Sequence, residues 1–518
     1  MAHRELPVPR LDLPEETLQE RFDALQESLV PLWKSISHLS QEEQTIVVVP
    51  SVSVDFALRP SEMQAYEERL LFLLLLLRQP RARMVYVTGQ PVSETVIDYY
   101  LALLPGLIPS HARARLSMLS VGDADPIPLT HKVLQRPRLI ERIKHLVVDP
   151  QRAHLVPFNT TWAERDLALR LGIPMYGNDP RHEHLGSKSG GRQLFKQAEV
   201  PCPMGFEHLR SLEDIVGAIV ELKTADRECP AAIVKLEASV SGEGNAQIDL
   251  SGIGTDPADI ERRIQEMTTE MVGLSADDYL AKFARVGGIV EERIVADGVL
   301  SPSVQLRITP LREVQLLSTH DQLLGGPTGL SFLGARFPAN DAYASMIARE
   351  ALKIGQLIAD EGVIGRFAVD FLTAKQDGDW KAWAIEVNLR KGGTTHPFLT
   401  LQFLTDGEYD WESNVFRTRA GQPKFLVASD HMESVDYRVL EIDDLFDVMV
   451  AHGIHFDHTR QRGIVLHMLA CLGDCGRFGL TAVGDSADDA EALYKQAEEV
   501  LLETARQARA DQGVAGDA

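Results

Sequence analysis

The stretch 363–398, VIGRFAVDFLTAKQDGDWKAWAIEVNLRKGGTTHPF, constrains the fold more than any other part of the chain. Two β-rich runs, GRFAVDFLTA and WKAWAIEVNL, flank Asp377-Gly378, a dipeptide that favours the tight turn of a hairpin. A three-residue loop centred on Gly378 predicts Asp370 directly across from Glu386, Arg366 across from Arg390, and Asn388 on the face that carries Glu386. Two carboxylates facing each other across a ladder repel unless something positive lies between them. Oxygen ligands from Asp370, Glu386 and Asn388, with no Cys or His among them, suit a hard divalent ion such as Mg2+, which commonly shares its shell with nucleotide phosphates. A one-residue slip would undo this register, and the plain alternative is a hairpin face whose charges point into water.

The 518 residues are too many for one ordinary core and predict about three domains. Apolar residues make up 44% of the chain and charged residues 25%, the profile of a soluble globular protein. A formal net charge of -23 argues against nucleic acid as a partner of the general surface, so any phosphate must be met by local cations. Four cysteines, Cys202, Cys229, Cys471 and Cys475, make no disulfide framework and predict a reducing, cytoplasmic setting. Cys471 and Cys475 have the spacing of half a zinc site, without a second half nearby, and read as ordinary thiols. The opening residues are Pro-rich and acidic, without the apolar stretch of a signal peptide. The apolar run 70–77 is far shorter than the ~20 residues of a membrane helix, which predicts a buried helix and no membrane partner.

Residues 16–40 read as helical. Five apolar runs then alternate with helical patterns: TIVVVPS, RMVYVTGQ, RLSMLSVG, AHLVPFNT and IPMYG. That alternation predicts an α/β domain with a largely parallel sheet, whose ligands lie beyond the carboxyl ends of strands. Thr88-Gly89-Gln90, Gly122-Asp123 and Asn159-Thr160 sit at those ends and either line a pocket or only make turns. No GxGxxG follows these strands, so a dinucleotide site has little support. Residues 187–198 predict a helix with Lys188 at its mouth; GSKSGGR lacks the spaced glycines of a P-loop. His182 and His184 read as solvated loop residues. AAIVKLEASVSGEGNAQIDL predicts a strand carrying Lys235, a glycine loop over 239–245, and a second strand, which is either an anion cradle or a hairpin with an incidental lysine. Gly325, Gly326 and Gly329 predict a mobile loop able to act as a lid. A long helix is expected over 341–358, and an amphipathic one capped from Ser486 or Asp488. His452, His455 and His458 read as loop residues rather than as a metal cluster.

Taken in order, Lys188 before a helix ending in V-P-x-P, Lys235 before a Gly-rich loop, EERI, then Asp370, Glu386 and Asn388 resemble the ATP-grasp ligases over 176–404. THDQLLGGPTG and EVNLRKGGTTHPF look like the pheganomycin-type peptide ligases of that family. The resemblance implies an α/β fold with an α+β ATP-grasp core: a Rossmann-like pre-ATP-grasp domain over 1–175, a two-lobed ATP-grasp domain over 176–411 and a mixed α/β C-terminal extension over 412–518. It implies that Lys188 and Lys235 contact ATP phosphates, with Ser241, Gly242 and Gly244 in a loop that closes over them. Glu291, Glu292 and Ile294 would form the hinge that meets adenine, and Asp297 is the nearest candidate for the ribose. Asp370, Glu386 and Asn388 would hold Mg2+ or Mn2+, while Arg366 and Arg390 would stabilise the acyl phosphate or the substrate carboxylate.

The implied reaction joins a small-molecule carboxylate to an amine, amino acids or short peptides, through an acyl phosphate with release of ADP and phosphate. A kinase on the same nucleotide fold and a nucleotide sensor that has lost its chemistry stand as alternatives, because function lives in the site rather than the fold. Self-association into a homo-oligomer stays open, and no residue stands out as a base for the amine.

Overall fold

The computed structural model describes residues 7–37, 43–53, 58–104, 106–237, 244–271, 273–296, 298–326 and 329–512. Near the N-terminus, β1 (Gln44–Val49), β2 (Ala82–Thr88), β3 (Leu116–Ser120) and β4 (Ala153–Pro157) form a parallel sheet in the order β3-β2-β1-β4. Ile46, Val47, Val48 and Val49 are all buried, as expected of a strand covered by helices on both faces. The fifth expected strand, IPMYG, is reduced to a single bridge between Met175 and Leu155. The N-terminal helical stretch is two helices, Glu15–Gln26 and Leu29–Ser37. Pro31 explains the break: it has no N–H to carry the first helix onward, yet is tolerated in the first turn of the second. The apolar run is buried as expected, but as a 3-10 helix, Leu71–Arg78, rather than an α-helix.

A five-stranded antiparallel sheet follows, built from β5 (Gly205–Leu209), β6 (Ala231–Leu236), β7 (Asn245–Asp249), β8 (Thr268–Thr269) and β9 (Gly288–Glu292) in the order β5-β9-β6-β7-β8. Ile215, Ile219 and Leu222 of one helix and Tyr279 and Phe283 of another pack into its core.

The second large sheet has eight strands. It takes in β10 (Pro302–Ile308), β11 (Val314–Gly325), β12 (Ser331–Phe337), β13 (Gly365–Gln376) and β14 (Asp379–Asn388). A short ribbon of β15 (Glu408–Asp410) and β16 (Val415–Arg417) intervenes. Then β17 (Phe425–Glu433), β18 (Gly463–His467) and β19 (Arg477–Gly484) complete the order β14-β13-β10-β11-β12-β17-β19-β18. Backbone pairing of β12 with β17 carries this sheet across position 411 without a break. The expected long helix spans Ala344–Asp360 and buries Ile347, Ala351, Ile354 and Ile358 with Leu306 and Ile308 of β10. The last helix spans Ala487–Asp511, and Ser486 caps it by accepting a 3.1 Å hydrogen bond from the Asp489 N–H. No helix among the described residues is long and apolar enough to cross a membrane.

Candidate active site

The β13–β14 hairpin sets the site. Asp377 and Gly378 both have positive φ (55° and 90°), and Gln376 pairs with Asp379, so the turn has two residues rather than the expected three. That turn alone would set Asp370 opposite Ile385. A bulge at Ile385 shifts the register by one, and beyond it Asp370 lies opposite Glu386, Val369 opposite Val387 and Ala368 opposite Asn388. The facing carboxylates are thus as expected, through a different device. Ladder pairing with β14 stops at Asn388, however, so Arg366 does not meet Arg390; on the other edge of β13 it pairs with Arg307 of β10. Burial and the facing Arg307 pull the Arg366 guanidinium below its ordinary pKa. Arg366 does not line the cavity described below, whereas Arg390 does.

Asp370 accepts a 3.0 Å hydrogen bond from the Asn388 side-chain amide. Burial, and then the charge of Glu386, push its carboxyl up to about 6. Burial presses the same way on Glu386, but Lys188 and Arg390 hold it below the usual range. Lys188 Nζ lies 2.6 Å from Glu386 Oε1 and is almost fully buried. Its position follows from the helix Lys188–Gln197, whose N-cap Ser187 accepts a 3.0 Å hydrogen bond from Gly190 N–H.

Lys235 on β6 pairs with Glu291 on β9 at 2.5 Å, and Arg192 pairs with the other oxygen of Glu291 at 3.0 Å. Glu291 therefore acts through its side chain as the shared counter-charge of two buried cations, a role its place in EERI did not announce. Glu292 accepts a 2.7 Å hydrogen bond from the Met204 N–H; neither it nor Ile294 lines the cavity. Gly244 anchors the base of the glycine loop, its carbonyl accepting from the Tyr279 hydroxyl at 2.8 Å and from Leu236 N–H at 3.0 Å. Ser241, Gly242 and Asp297 lie outside the described residues.

A cavity of about 380 Å³ lies between the five- and eight-stranded sheets. Ile233, Lys235, Asn245 and Glu291 come from one; Ser303, Gln305, Asp370, Glu386 and Asn388 come from the other. Leu330, after the glycines that follow β11, and Ser331 and Phe332 at the start of β12 also line it. The N-terminal region adds Glu62, Tyr66, Arg69 and Phe158, and the C-terminal strands add Asp430, His431 and Arg477. None of these last seven stood out in the sequence, since each is an isolated residue whose place depends on contacts hundreds of positions away. The strand-end residues Thr88 to Gln90, Gly122, Asp123, Asn159 and Thr160 do not line this cavity. His182 is buried in a 3-10 helix, Pro180–Gly186, instead of being solvated. Cys471 and Cys475 are buried free thiols with sulfurs 2.8 Å apart.

The arrangement can hold a polyanion against Lys235 and Arg390 and a divalent ion against Asp370, Glu386 and Asn388; Lys188 does not itself line the cavity but reaches its wall through Glu386. The chain matches the family described as IQCH-like, ATP-grasp over residues 181–272 and 257–412, and the PGM1 C-terminal domain over 444–497. It is 30% identical over 446 residues to the L-propargylglycine--L-glutamate ligase of Streptantibioticus cattleyicolor, covering 84% of this chain and 89% of that protein. It is 22% identical over 502 residues to the IQ motif-containing protein H of Danio rerio, covering 86% of this chain and 47% of that one, so it spans about half that relative's length. Among solved structures it resembles a biotin carboxylase–ATP complex from Campylobacter jejuni, with a TM-score of 0.53, 13% identity, and 90% and 96% of the two chains covered. It also resembles N5-carboxyaminoimidazole synthetase from Staphylococcus aureus complexed with ADP, with a TM-score of 0.52, 10% identity, and 88% and 98% covered. At such identities the two structures establish a shared fold.

Proposed function

Because this chain belongs to the ATP-grasp family, we propose that it is a cytoplasmic ligase that joins the carboxylate of one amino acid or short peptide to the amine of another. ATP-dependent carboxylate–amine ligation is the activity of this chain, in keeping with its L-propargylglycine--L-glutamate ligase relative. The observation that carries the site reading is the pair of facing carboxylates, Asp370 and Glu386, in a cavity wall that also presents Lys235 and Arg390. The S. cattleyicolor relative is named for L-propargylglycine and L-glutamate, which supports amino acids as the substrate class.

ATP enters between the two sheets with its phosphates toward Lys235 and Lys188. Glu291 keeps the Lys235 ammonium extended into the cavity, since the two are 2.5 Å apart. Lys188 exchanges Glu386 for a phosphate oxygen, which frees the Glu386 carboxylate. Asp370, Glu386 and Asn388 fit a hard cation as an oxygen-only set, and would hold Mg2+ or Mn2+, which when bound offsets phosphate charge. An oxygen of the substrate carboxylate attacks the γ-phosphorus, ADP departs, and an acyl phosphate forms. Arg390 offsets the charge on that group. The amine then attacks the carbonyl carbon, the C–O bond to phosphate breaks, and the amine loses a proton as the amide forms. Positioning and charge neutralisation supply most of the first step.

The test is ADP release from purified protein with Mg2+–ATP across pairs of amino acids and short dipeptides. Some pair should release ADP with stoichiometric amide, and neither member should do so alone. Release with one hydroxyl-bearing compound and a stable phosphoester as product would make the protein a kinase instead.

A further inference from the structure

At the cavity wall formed by the C-terminal strands, Asp430, which lines the cavity, meets two histidines far from it in sequence that do not. The three are His396 in the helix Thr395–Thr405, Asp430 on β17 and His467 at the end of β18, all buried. Their polar atoms make a closed triangle: His396 Nε2 to His467 Nε2 is 2.9 Å, His467 Nε2 to Asp430 Oδ1 is 2.9 Å, and His396 Nε2 to Asp430 Oδ1 is 3.2 Å.

Hydrogen bonds cannot satisfy this triangle. The carboxylate oxygen only accepts, and each imidazole Nε2 either donates or accepts. With one Nε2 protonated, the lone pair of the other faces the carboxylate oxygen. With both protonated, two N–H groups face each other. With neither, all three contacts set lone pair against lone pair. With Asp430 ionised against Arg69 Nη2 at 2.7 Å, every arrangement of the imidazole protons leaves a repulsive contact, in an interior where little screens it. A cation bound by all three atoms removes every one of them.

We propose that His396, Asp430 and His467 form a binding site for one divalent transition-metal ion of the zinc or iron(II) class. Two imidazole nitrogens and one carboxylate oxygen favour such ions over Mg2+. Metal–ligand bonds of about 2.0–2.1 Å separate neighbouring ligand atoms by about 2.9 Å at right angles and about 3.4 Å at tetrahedral angles. The observed edges of 2.9, 2.9 and 3.2 Å fall within that span. Two features of the surroundings agree, while His396 Nδ1 is buried without a hydrogen-bond partner. Asp430 gives its second oxygen to Arg69 Nη2 at 2.7 Å, the outer hydrogen bond expected of a ligating carboxylate. Gly479 pairs with His467 across the β18–β19 ladder, and a Cβ there would fall 2.1 Å from His467 Nε2. Glycine at 479 is what lets the ring lie over the neighbouring strand and turn its nitrogen into the triangle.

The ion would fasten the helix after the GGTTHP segment to β17 and β18. Gly392, Gly393, Thr394, Asp430 and His431 all line the cavity, so this fastening would fix one of its walls. None of the histidines at 452, 455 and 458 takes part.

The experiment measures metal directly and does not depend on ligase chemistry. Full-length protein is stripped with a chelator and titrated with Co2+ in excess Mg2+, and protein as purified is analysed by plasma mass spectrometry. The expected results are visible d–d bands that saturate at one Co2+ per chain, and close to one zinc or iron per chain as purified. His467→Gln and His396→Gln should each lose the bands, whereas Glu386→Gln should keep them. The proposal is overturned if folded wild-type protein gives no d–d bands, or if both histidine variants, shown folded by circular dichroism, bind Co2+ as the wild type does.

Discussion

Lys188 Nζ and Glu386 Oε1 are 2.6 Å apart, so the residue expected to hold phosphate and the residue expected to hold a cation neutralise each other when neither ligand is bound. The pair keeps a buried ammonium and an acidic wall compatible with a stable apo fold. On the proposed reading it would also make the two ligands cooperative, since each would free the partner that the other uses.

Replacing either member of the opposed carboxylate pair should therefore have opposite effects on stability and the same effect on turnover. Glu386→Gln strands Lys188 without a counter-charge and should cost about 2 kcal/mol, less than the ~3–5 kcal/mol of a fully buried pair because the Glu386 side chain retains 21% exposure. Asp370→Asn removes a repulsion and should leave the melting temperature unchanged or raised. Both should lower kcat about 100-fold or more by removing an oxygen ligand and the charge it carries. Thermal melts and ADP-release assays on the same preparations check both halves.

Glu291 offers a sharper stability test. Its side chain is 2% exposed and meets Lys235 at 2.5 Å and Arg192 at 3.0 Å. Glu291→Gln leaves two buried cations without their shared charge, and should destabilise by about 3–5 kcal/mol. Lys235→Met should cost less, because Arg192 still neutralises Glu291. Denaturant unfolding of the two variants side by side decides the order.

The sequence made the hairpin, its opposed carboxylates and the lysines legible because they depend on local pattern: strand period, a turn dipeptide and a helix mouth. The route to the register was not legible. Nothing in WKAWAIEVNL marks Ile385 as the bulged residue, and a three-residue loop without a bulge gives the same Asp370–Glu386 pairing as a two-residue loop with one. Arg366 was misplaced for a different reason: local pattern does not reveal that the β13–β14 ladder ends at Asn388, two residues short of Arg390, while β10 on the opposite edge of β13 sets Arg307 beside Arg366. The cavity's remaining wall and the His396–Asp430–His467 triangle arise from contacts between distant segments, and no spacing rule reports these.

Arg366 and Arg390 should consequently part company on mutation. Arg390 lines the cavity beside Glu386 and Asp370, and Arg366 lies among cations outside it. Arg390→Met should lower kcat/KM about 100-fold, as expected for loss of a charge aimed at the reacting group. Arg366→Met should change it less than about threefold. Steady-state kinetics on both variants separates the roles.

Lys391 predicts a pH effect. Burial, with Arg366 adding to it, pulls its ammonium from an ordinary 10.5 down to about 7, and its Nζ donates to the Pro157 carbonyl at 2.5 Å. Between about pH 7 and 10.5 the unfolded chain binds a proton at Lys391 that the folded chain does not. Stability therefore rises with pH across that window, by up to about 1.4 kcal/mol per pH unit from this one group. Lys391→Met should flatten that rise relative to wild type in urea unfolding at pH 7.5 and 9. Parallel profiles would show that Lys391 titrates normally.

The central claim is that a carboxylate is activated by phosphorylation before the amine arrives, and oxygen transfer reads it most directly. With the carboxylate substrate labelled with 18O in its carboxyl group, mass spectrometry of the phosphate released during amide formation should show one labelled oxygen per phosphate. Amide formed alongside unlabelled phosphate would contradict the acyl-phosphate route.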